Sequence, residues 1–585
     1  MQPRVSNQDN APFVESVDSL FGHIISPGRD DGYSVGPPLV MGAKNEKHSL
    51  KLLKKLCRSG LPPQLRCAVW ISSVARIANP HLPISETDSY GTVGHEKKIE
   101  AKWNYALKAA FPNSSDRDDV IAPDLGLGQQ ALHQLIRHDF EEWNMPTPNQ
   151  KSISELNVRS LTGILCAVHQ VLGIEYCPPL PDIAAILLTH MRESYVFATI
   201  REMIDDSSHF LPVSQKEYYS WCKTYSFFVE QMFPATYKVM EKCGALDPQS
   251  GLDPIFKRFF STILKREDML RFMDVFVIEG CKAIFRLALS LLMLIPKKDL
   301  KSLLLTDSKS WWNEIRHRTL DRAFTFQKHL QIMFPKFETI AMRYPRRRLL
   351  SRMNRFHEHW ALENMPTYVD QTPPKPIGFT SDGCILAKPA SVRSNLARWL
   401  PPSLKSTKLD LIYSTEKHGR SLTSFYEECQ RAKNTVILVE AIIGNHSSII
   451  GMFASHAWRK KCHSIGDGEC FMFRMNPDPQ CFYWFPKAPD VSGTIDDMEH
   501  QTLREQVMIA RSDYVAMGSN RDGTNGLRLD RDLIKGESYS AAGFDNDLLP
   551  GQQQKTFEIG FVEVYQLIRD FFGEEIGRDD SSLGI

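Results

Sequence analysis

Two pairs of basic residues stand four apart in this chain, Lys54 with Arg58 and Lys282 with Arg286. Residues four apart share one face of a helix, so each pair presents two cations side by side. Converging ammonium and guanidinium groups read phosphate through charge-assisted hydrogen bonds. The second pair is the more informative, because the helix around it is otherwise Ile, Phe, Leu and Met. Burying a lone charge is costly, so a charged stripe on such a helix needs a partner. The sequence leaves two partners open: internal acids such as Asp274 or Glu279, or an anion from outside. A basic run, Arg343, Arg346, Arg347, Arg348, Arg352 and Arg355, reads as a solvated linker helix. It can add membrane attraction of about 1 kcal/mol per residue. His446, His456 and His463 lack ligand-like spacing with Cys or carboxylates. Asp530, Asp532 and Asp545 read as turn and cap residues, not as an acid–base pair.

The elements that must hold these residues fall into two textures. From 48 to 350 the apolar pattern is helical. Leu50, Leu53, Leu56 and Cys57 keep helix spacing and Gly60 fits the stop position. Leu161, Leu165, Val168 and Leu172 predict a helix before the Pro-rich break at 178–181, and 281–296 predicts another. After Thr372-Pro373-Pro374-Lys375-Pro376 the pattern changes. Thr435 to Ile443, Gly444-Asn445-His446 and Ile449 to Phe453 predict a β-hairpin. Phe471–Phe473 and Cys481–Phe485 predict further strands. The expected organisation is a mobile tail at 1–47, a helical domain at 48–350, a linker at 351–376, an α+β domain at 377–572 and a tail at 573–585. Residues 113–128 and 486–520 read as loop-like inserts.

With 70 basic and 69 acidic residues the net charge is +1. The global field therefore gives no support to nucleic-acid binding, and any anion site must be a local cluster. Twelve Cys without a C-x-x-C pair point to reduced, buried thiols of a cytosolic protein. The N-terminus lacks the apolar run of a signal peptide. The longest uncharged apolar piece, Leu287 to Pro296, is about half the ~20 residues a membrane span needs.

Three segments carry a resemblance: Leu65-Arg66-x-x-Val69-Trp70, Glu175-Tyr176-Cys177-Pro178-Pro179-Leu180-Pro181 and Asp274-x-x-x-x-Glu279-Gly280. Together they resemble a TBC domain, the all-helical Rab-GTPase-activating module. In that family the middle segment reads Tyr-Cys-Gln-Gly, and the Gln orients the water that attacks GTP. Here Pro178 takes its place, and Pro has no side-chain amide. The family's arginine-finger motif, Ile-x-x-Asp-x-x-Arg-Thr-Phe-Pro, has two placements. Residues 103–112 put Ala109 at the finger and Ala106 at its carboxylate orienter. Residues 136–142 keep Asp139 but put Glu142 at the finger. Neither supplies an Arg, and Lys108 or Arg137 would sit on another helical face.

Residues 377–572 resemble a TLDc domain through four blocks in register. These are Ile412-Tyr413-Ser414 with Gly419, Ser421, Leu422, Phe425 and Tyr426; Gly466-x-Gly468-Glu469-Cys470-Phe471-x-Phe473; Gly526-Leu527-x-Leu529-Asp530-x-x-Leu533-x-x-Gly536-x-Ser538; and Phe544 with Phe557-x-Ile559 and Val562-Glu563-Val564. The resemblance implies a β-sandwich core with helices and no hydrolase or transferase chemistry. TBC followed by TLDc is similar to the Skywalker-type subgroup. That likeness implies a pocket for phosphorylated inositol headgroups at Lys54, Arg58 and Arg286, with Lys328 as a further position. The implied function is that of a phosphoinositide-binding, Rab-GAP-like regulator of vesicle trafficking. It would be cytoplasmic and peripheral to vesicle membranes, with a Rab-type or ARF-type GTPase as partner and weak or no catalysis. Two rivals stand beside it: an active Rab GTPase activator, and a TLDc-driven factor for oxidative-stress protection and association with the vacuolar proton pump. No cofactor or metal is expected.

Overall fold

A computed structural model describes most of residues 53–78, 93–136, 152–301, 306–321, 347–366, 377–484 and 507–568. The chain divides into two compact units, Met1–Pro345 and Arg346–Ile585. The tails expected at 1–47 and 573–585 lie outside the described residues. Helix Arg347–Asn364 covers much of the stretch read as a linker and belongs to the second unit.

All described regular elements of the first unit are helices. Leu161, Leu165, Val168 and Leu172 are buried along helix Ser152–Leu172. The segment after the Pro-rich break forms helix Leu180–Leu188, buried from Leu180 through Leu187. A helix apolar on every side belongs at the centre of a unit. Its one carboxylate, Asp182, is fully buried and accepts from Arg258 Nε at 3.1 Å and Nη2 at 3.4 Å. Helices Arg266–Glu279 and Cys281–Leu291 abut at Gly280, whose φ of 69° is one that L side chains rarely adopt. The predicted helix over 281–296 ends earlier, with a single 3₁₀ turn at Leu292–Leu294.

The second unit is built on antiparallel strands, with one parallel pair between β1 (Gly378–Phe379) and β2 (Lys408–Ser414). The predicted hairpin forms as β3 (Thr435–Ile443) and β4 (His446–Ala454), closed by Gly444-Asn445 with Ile443 opposite His446. β5 (Phe471–Arg474) and β6 (Gln480–Tyr483) continue the meander. β7 (Met508–Ala510), β8 (Tyr514–Ser519), β9 (Asn525–Asp530), β10 (Lys535–Glu537) and β11 (Thr556–Ile568) complete it. The hydrogen-bonded order is β6-β5-β4-β3-β11-β10-β9-β8-β7, with β2 also on β11. The thirteen-residue β11 pairs with β10 at its start, then with β3, and over 563–566 with β3 and β2 at once, with register shifts against both. Alternate side chains feed two apolar cores, one around Met452, Leu527 and Val564, the other around Phe453, Phe471 and Tyr565. Asp530 is a turn residue as expected: its Oδ1 accepts from the backbone N–H groups of Ile534 and Lys535.

Glu563 is fully buried in β11. Its carboxylate accepts from the N–H groups of Ile385 (3.0 Å) and Leu386 (2.8 Å) and from the Tyr565 hydroxyl (2.5 Å). It ties segment 385–386 to the sheet. Replacing Glu563 with Ala orphans these donors at about 1–3 kcal/mol each. Faster amide hydrogen exchange at 385–386 is the expected first sign, and unchanged exchange would show that the carboxylate is dispensable.

Candidate functional site

The first helical segment, with residues 53–54 and 57–59 described, ends at Gly60, whose φ is 100°. The Arg271 guanidinium occupies the space a Cβ there would need, and its Nη1 donates to the Ser59 carbonyl at 2.6 Å. Two residues on, the Leu61 N–H donates to Asp274 at 3.1 Å. Asp274 also accepts from Arg66 Nε (3.1 Å) and Trp70 Nε1 (2.9 Å), and all three side chains are buried. The segments flagged in the sequence around Arg66, Trp70 and Asp274 are thus one structural network. Burial raises the Asp274 carboxyl above its usual range, with Arg66 and the hydrogen bonds pulling the other way. His190 packs on Trp70, ring centroids 5.2 Å apart. Burial, Arg66 and Arg266 together lower its pKa to about 4, so it is neutral at physiological pH.

This anchoring sets Arg58 over the end of helix Arg266–Glu279. Glu279 is that helix's last residue, and its side chain is fully buried. It accepts from Arg58 Nε at 2.7 Å and from Arg286 Nη1 at 3.1 Å, with the Lys282 ammonium 3.8 Å away. The internal partner left open in the sequence therefore exists, and it is Glu279. Arg58, Lys282 and Arg286 all pair with this one carboxylate. Lys54 adds another positive charge close by.

The electrostatics follow from that convergence. Burial alone would raise the Glu279 carboxyl, but Lys282, Arg58 and Arg286 outweigh it and hold the group below its usual range. Burial lowers Lys282 to about 8. Glu279 pulls it up, while Lys54, Arg286 and Arg58 push it further down. The cations strain against one another, and an arriving anion would relieve them. Arg58 keeps 28% of its side chain exposed, Lys282 19% and Arg286 13%, so the cluster faces solvent on one side and Glu279 on the other. Below them the Cys57 thiol is fully buried, and burial first, then Asp274 and Glu279, raise it well above its usual pKa.

Lys328 lies outside the described residues, as do Arg137, Asp139 and Glu142. Ala109 sits exposed in the last turn of helix Val93–Ala110, with Lys108 exposed beside it. Ala106 faces inward and is fully buried. Pro178 is itself buried, in the turn that opens helix Leu180–Leu188. The loop at 122–128 packs on this turn: the Cys177 N–H donates to the Leu125 carbonyl at 2.8 Å, and Tyr176 fills the space beside Gly126. Neither Ala109 nor Pro178 has a side-chain donor to offer a phosphate. Sequence reasoning missed the Asp182–Arg258 pair. Its signal was a lone acid in the apolar run Leu180–Leu188.

No described helix is long and apolar enough to cross a membrane, and no group of His, Cys, Asp or Glu suited to a metal occurs among the described residues. The described cysteines are free thiols, most of them buried. Residues 115–301 match the Rab-GTPase-TBC domain model and residues 385–568 the TLDc domain model. TBC1 domain family member 24 of Xenopus laevis is 23% identical over 507 residues, covering 78% of this chain and 86% of that one. Oxidation resistance protein 1 of Kluyveromyces lactis is 29% identical over 175 residues, 28% of this chain and 67% of that one. The crystal structure of the TBC domain of Skywalker/TBC1D24 from Drosophila melanogaster aligns with 49% of this chain and 86% of that one, at 16% identity and a TM-score of 0.36.

Proposed function

Because the chain carries a Rab-GTPase-TBC domain followed by a TLDc domain, we propose that it is a phosphoinositide-binding, Rab-GAP-like regulator of vesicle trafficking. In this reading it works at the cytoplasmic face of membranes and engages a Rab-type or ARF-type GTPase without efficient catalysis. The observation that carries the proposal is the convergence of partly exposed cations on Glu279. Lys54, Arg58, Lys282 and Arg286 would receive the phosphates of an inositol headgroup through charge-assisted hydrogen bonds. Anionic lipid would concentrate the protein at the membrane. The TLDc half would serve as an interaction module in oxidative-stress protection or proton-pump association. Its domain match and its likeness to an oxidation resistance protein support that reading.

The geometry dictates how to test it. Arg58 and Arg286 both hold a buried carboxylate, so neutralising them together would leave Glu279 with Lys282 alone. Single changes spare the fold because the other cations remain. Arg58→Ala and Arg286→Ala should each weaken co-sedimentation with vesicles containing phosphatidylinositol 4,5-bisphosphate by about tenfold or more, with little change in melting temperature. Equal binding by wild type and both variants would return the cluster to purely internal pairing.

The same site predicts a pH dependence. Lys282, at about 8, is charged below that value and neutral above it. A phosphomonoester, with its second pKa about 6, is already dianionic there. Headgroup affinity should therefore fall as pH rises through 8, and binding at that pH should take up a proton as the anion raises the lysine. Titration calorimetry in buffers of different ionisation enthalpy reads this uptake. A flat affinity from pH 7 to 9 would remove Lys282 from the site.

A further inference from the structure

A second basic cluster lies in the TLDc half, apart from everything described above. It surrounds a cavity of about 500 Å³ beside helix Leu422–Cys429. Cavities of roughly 300–1,000 Å³ are the usual size of small-molecule sites. The lining brings Arg431, at the end of that helix, next to Arg459 and Lys460 from the segment after β4. One carboxylate, Glu427, shares the wall. Among the described residues none of the three cations has a carboxylate within ion-pair distance, so the cavity carries uncompensated positive charge.

Two of the cations are held in place by identifiable contacts. Arg459 Nε donates to the Gln430 carbonyl at 2.8 Å, satisfying an acceptor left over at the helix end. That uses one of its five N–H groups. The Lys460 ammonium lies 5.0 Å from the centroid of the Tyr426 ring. Tyr426 is fixed in turn by its hydroxyl, which donates to the Arg511 carbonyl at 2.6 Å. Helix capping explains one bond of Arg459 and a cation–π contact orients Lys460. Neither accounts for three cations facing one space, nor for the neutral donors of Thr423 and Gln430 beside them.

We propose that this cavity is an anion site for a small phosphate-bearing ligand, with Arg431, Arg459 and Lys460 as its charged donors. Guanidinium forks and an ammonium together match the several oxygens of a phosphoryl group. Glu427 would repel ligands that are acidic on every side and so favour a single phosphate end. The phosphate could arrive free in solution or on a lipid headgroup.

The test uses the full chain and reads the rate at which Lys460 is acylated by an amine-reactive ester, by peptide mass spectrometry. Saturating pyrophosphate should slow Lys460 acylation several-fold. Arg431→Ala, which removes an exposed side chain with no described partner, should raise the protecting concentration by about tenfold. Vesicles of phosphatidic acid form a parallel arm. Protection by pyrophosphate alone assigns a soluble ligand, protection by vesicles alone assigns a lipid headgroup, and either upholds the site. Lys282 labelling in the same digest reports the Glu279 cluster independently, so failure of one site is not mistaken for failure of the other. Lys460 labelling unaffected by both probes, or protection unaltered by Arg431→Ala, would overturn the proposal.

Discussion

Asp274→Ala lowers the stability of the helical unit by about 3–5 kcal/mol, the usual cost of removing one partner of a buried ion pair. Four donors depend on this carboxylate or its neighbour oxygen: the Leu61 N–H, Arg66 Nε and Nη2, and the Trp70 indole. Removing it strands a guanidinium whose residue is only 6% exposed and the indole N–H of Trp70, which is fully buried. A domain is typically stable by only about 5–15 kcal/mol, so the loss is a large fraction of the total. Asp274→Asn gives little relief, because one oxygen remains but the charge opposing Arg66 is gone. The contrasting control is Arg318 with Glu314, an i,i+4 pair about a quarter exposed on both sides. Breaking that pair should cost less than about 1 kcal/mol. Denaturant unfolding followed by tryptophan fluorescence separates the two. A midpoint for Asp274→Ala indistinguishable from wild type would mean that the network does not hold the first helical segment against helix Arg266–Glu279.

The second large effect is in catalysis. An arginine finger supplied in trans is worth roughly 10³–10⁵ in the rate of GTP hydrolysis. If the motif placement over 103–112 holds, the finger position offers only the methyl group of Ala109, and Pro178, which is buried, has no amide to orient a water. Single-turnover GTP hydrolysis by Rab-type and ARF-type GTPases should therefore stay within about tenfold of the intrinsic rate when this protein is added. Saturation of a binding signal by the same GTPase without acceleration is the expected pattern. Acceleration of a thousandfold would establish an active GTPase activator whose donor lies elsewhere, with the segments around Arg137 and Lys328 first to be searched. Adding Ala109→Arg alone should recover little, because the orienting carboxylate is absent too: Ala106 points into the core.

Some helices and strands were legible before the fold was known, because local patterning encodes them, but 486–520 read as an insert and holds β7 and β8. Apolar spacing of three and four marked helix Ser152–Leu172, and two apolar runs around Gly444-Asn445-His446 marked the β3–β4 hairpin, while its register, with Ile443 opposite His446, came from the structure. In the third TLDc block the polar residues are structural, with Asp530 capping a turn and Ser538 bridging the Gly526 carbonyl and the Leu549 N–H. Element ends were less legible. The apolar run after Cys281 continues to Ile295, yet the α-helix stops at Leu291, since apolarity alone does not say where backbone geometry changes.

The cation pairs show the division most clearly. Spacing along the chain determined that Lys54 could join Arg58 and that Lys282 could join Arg286, because one helical turn is a local fact. It also gave the expectation that neither placement of the finger motif supplies an Arg, since residue identity needs no fold. What only tertiary structure decided was that the two pairs, more than 200 residues apart, meet over Glu279, and that one acid faces three cations. Residue counts put total charge near zero, but function depends on where charges are left uncompensated. That depends on which side chains long-range packing brings within a few ångströms, where Coulomb energies are large and water is excluded. For the same reason Asp182 and Glu563 could be read as ordinary acids in sequence, and became structural only when burial and distant donors surrounded them.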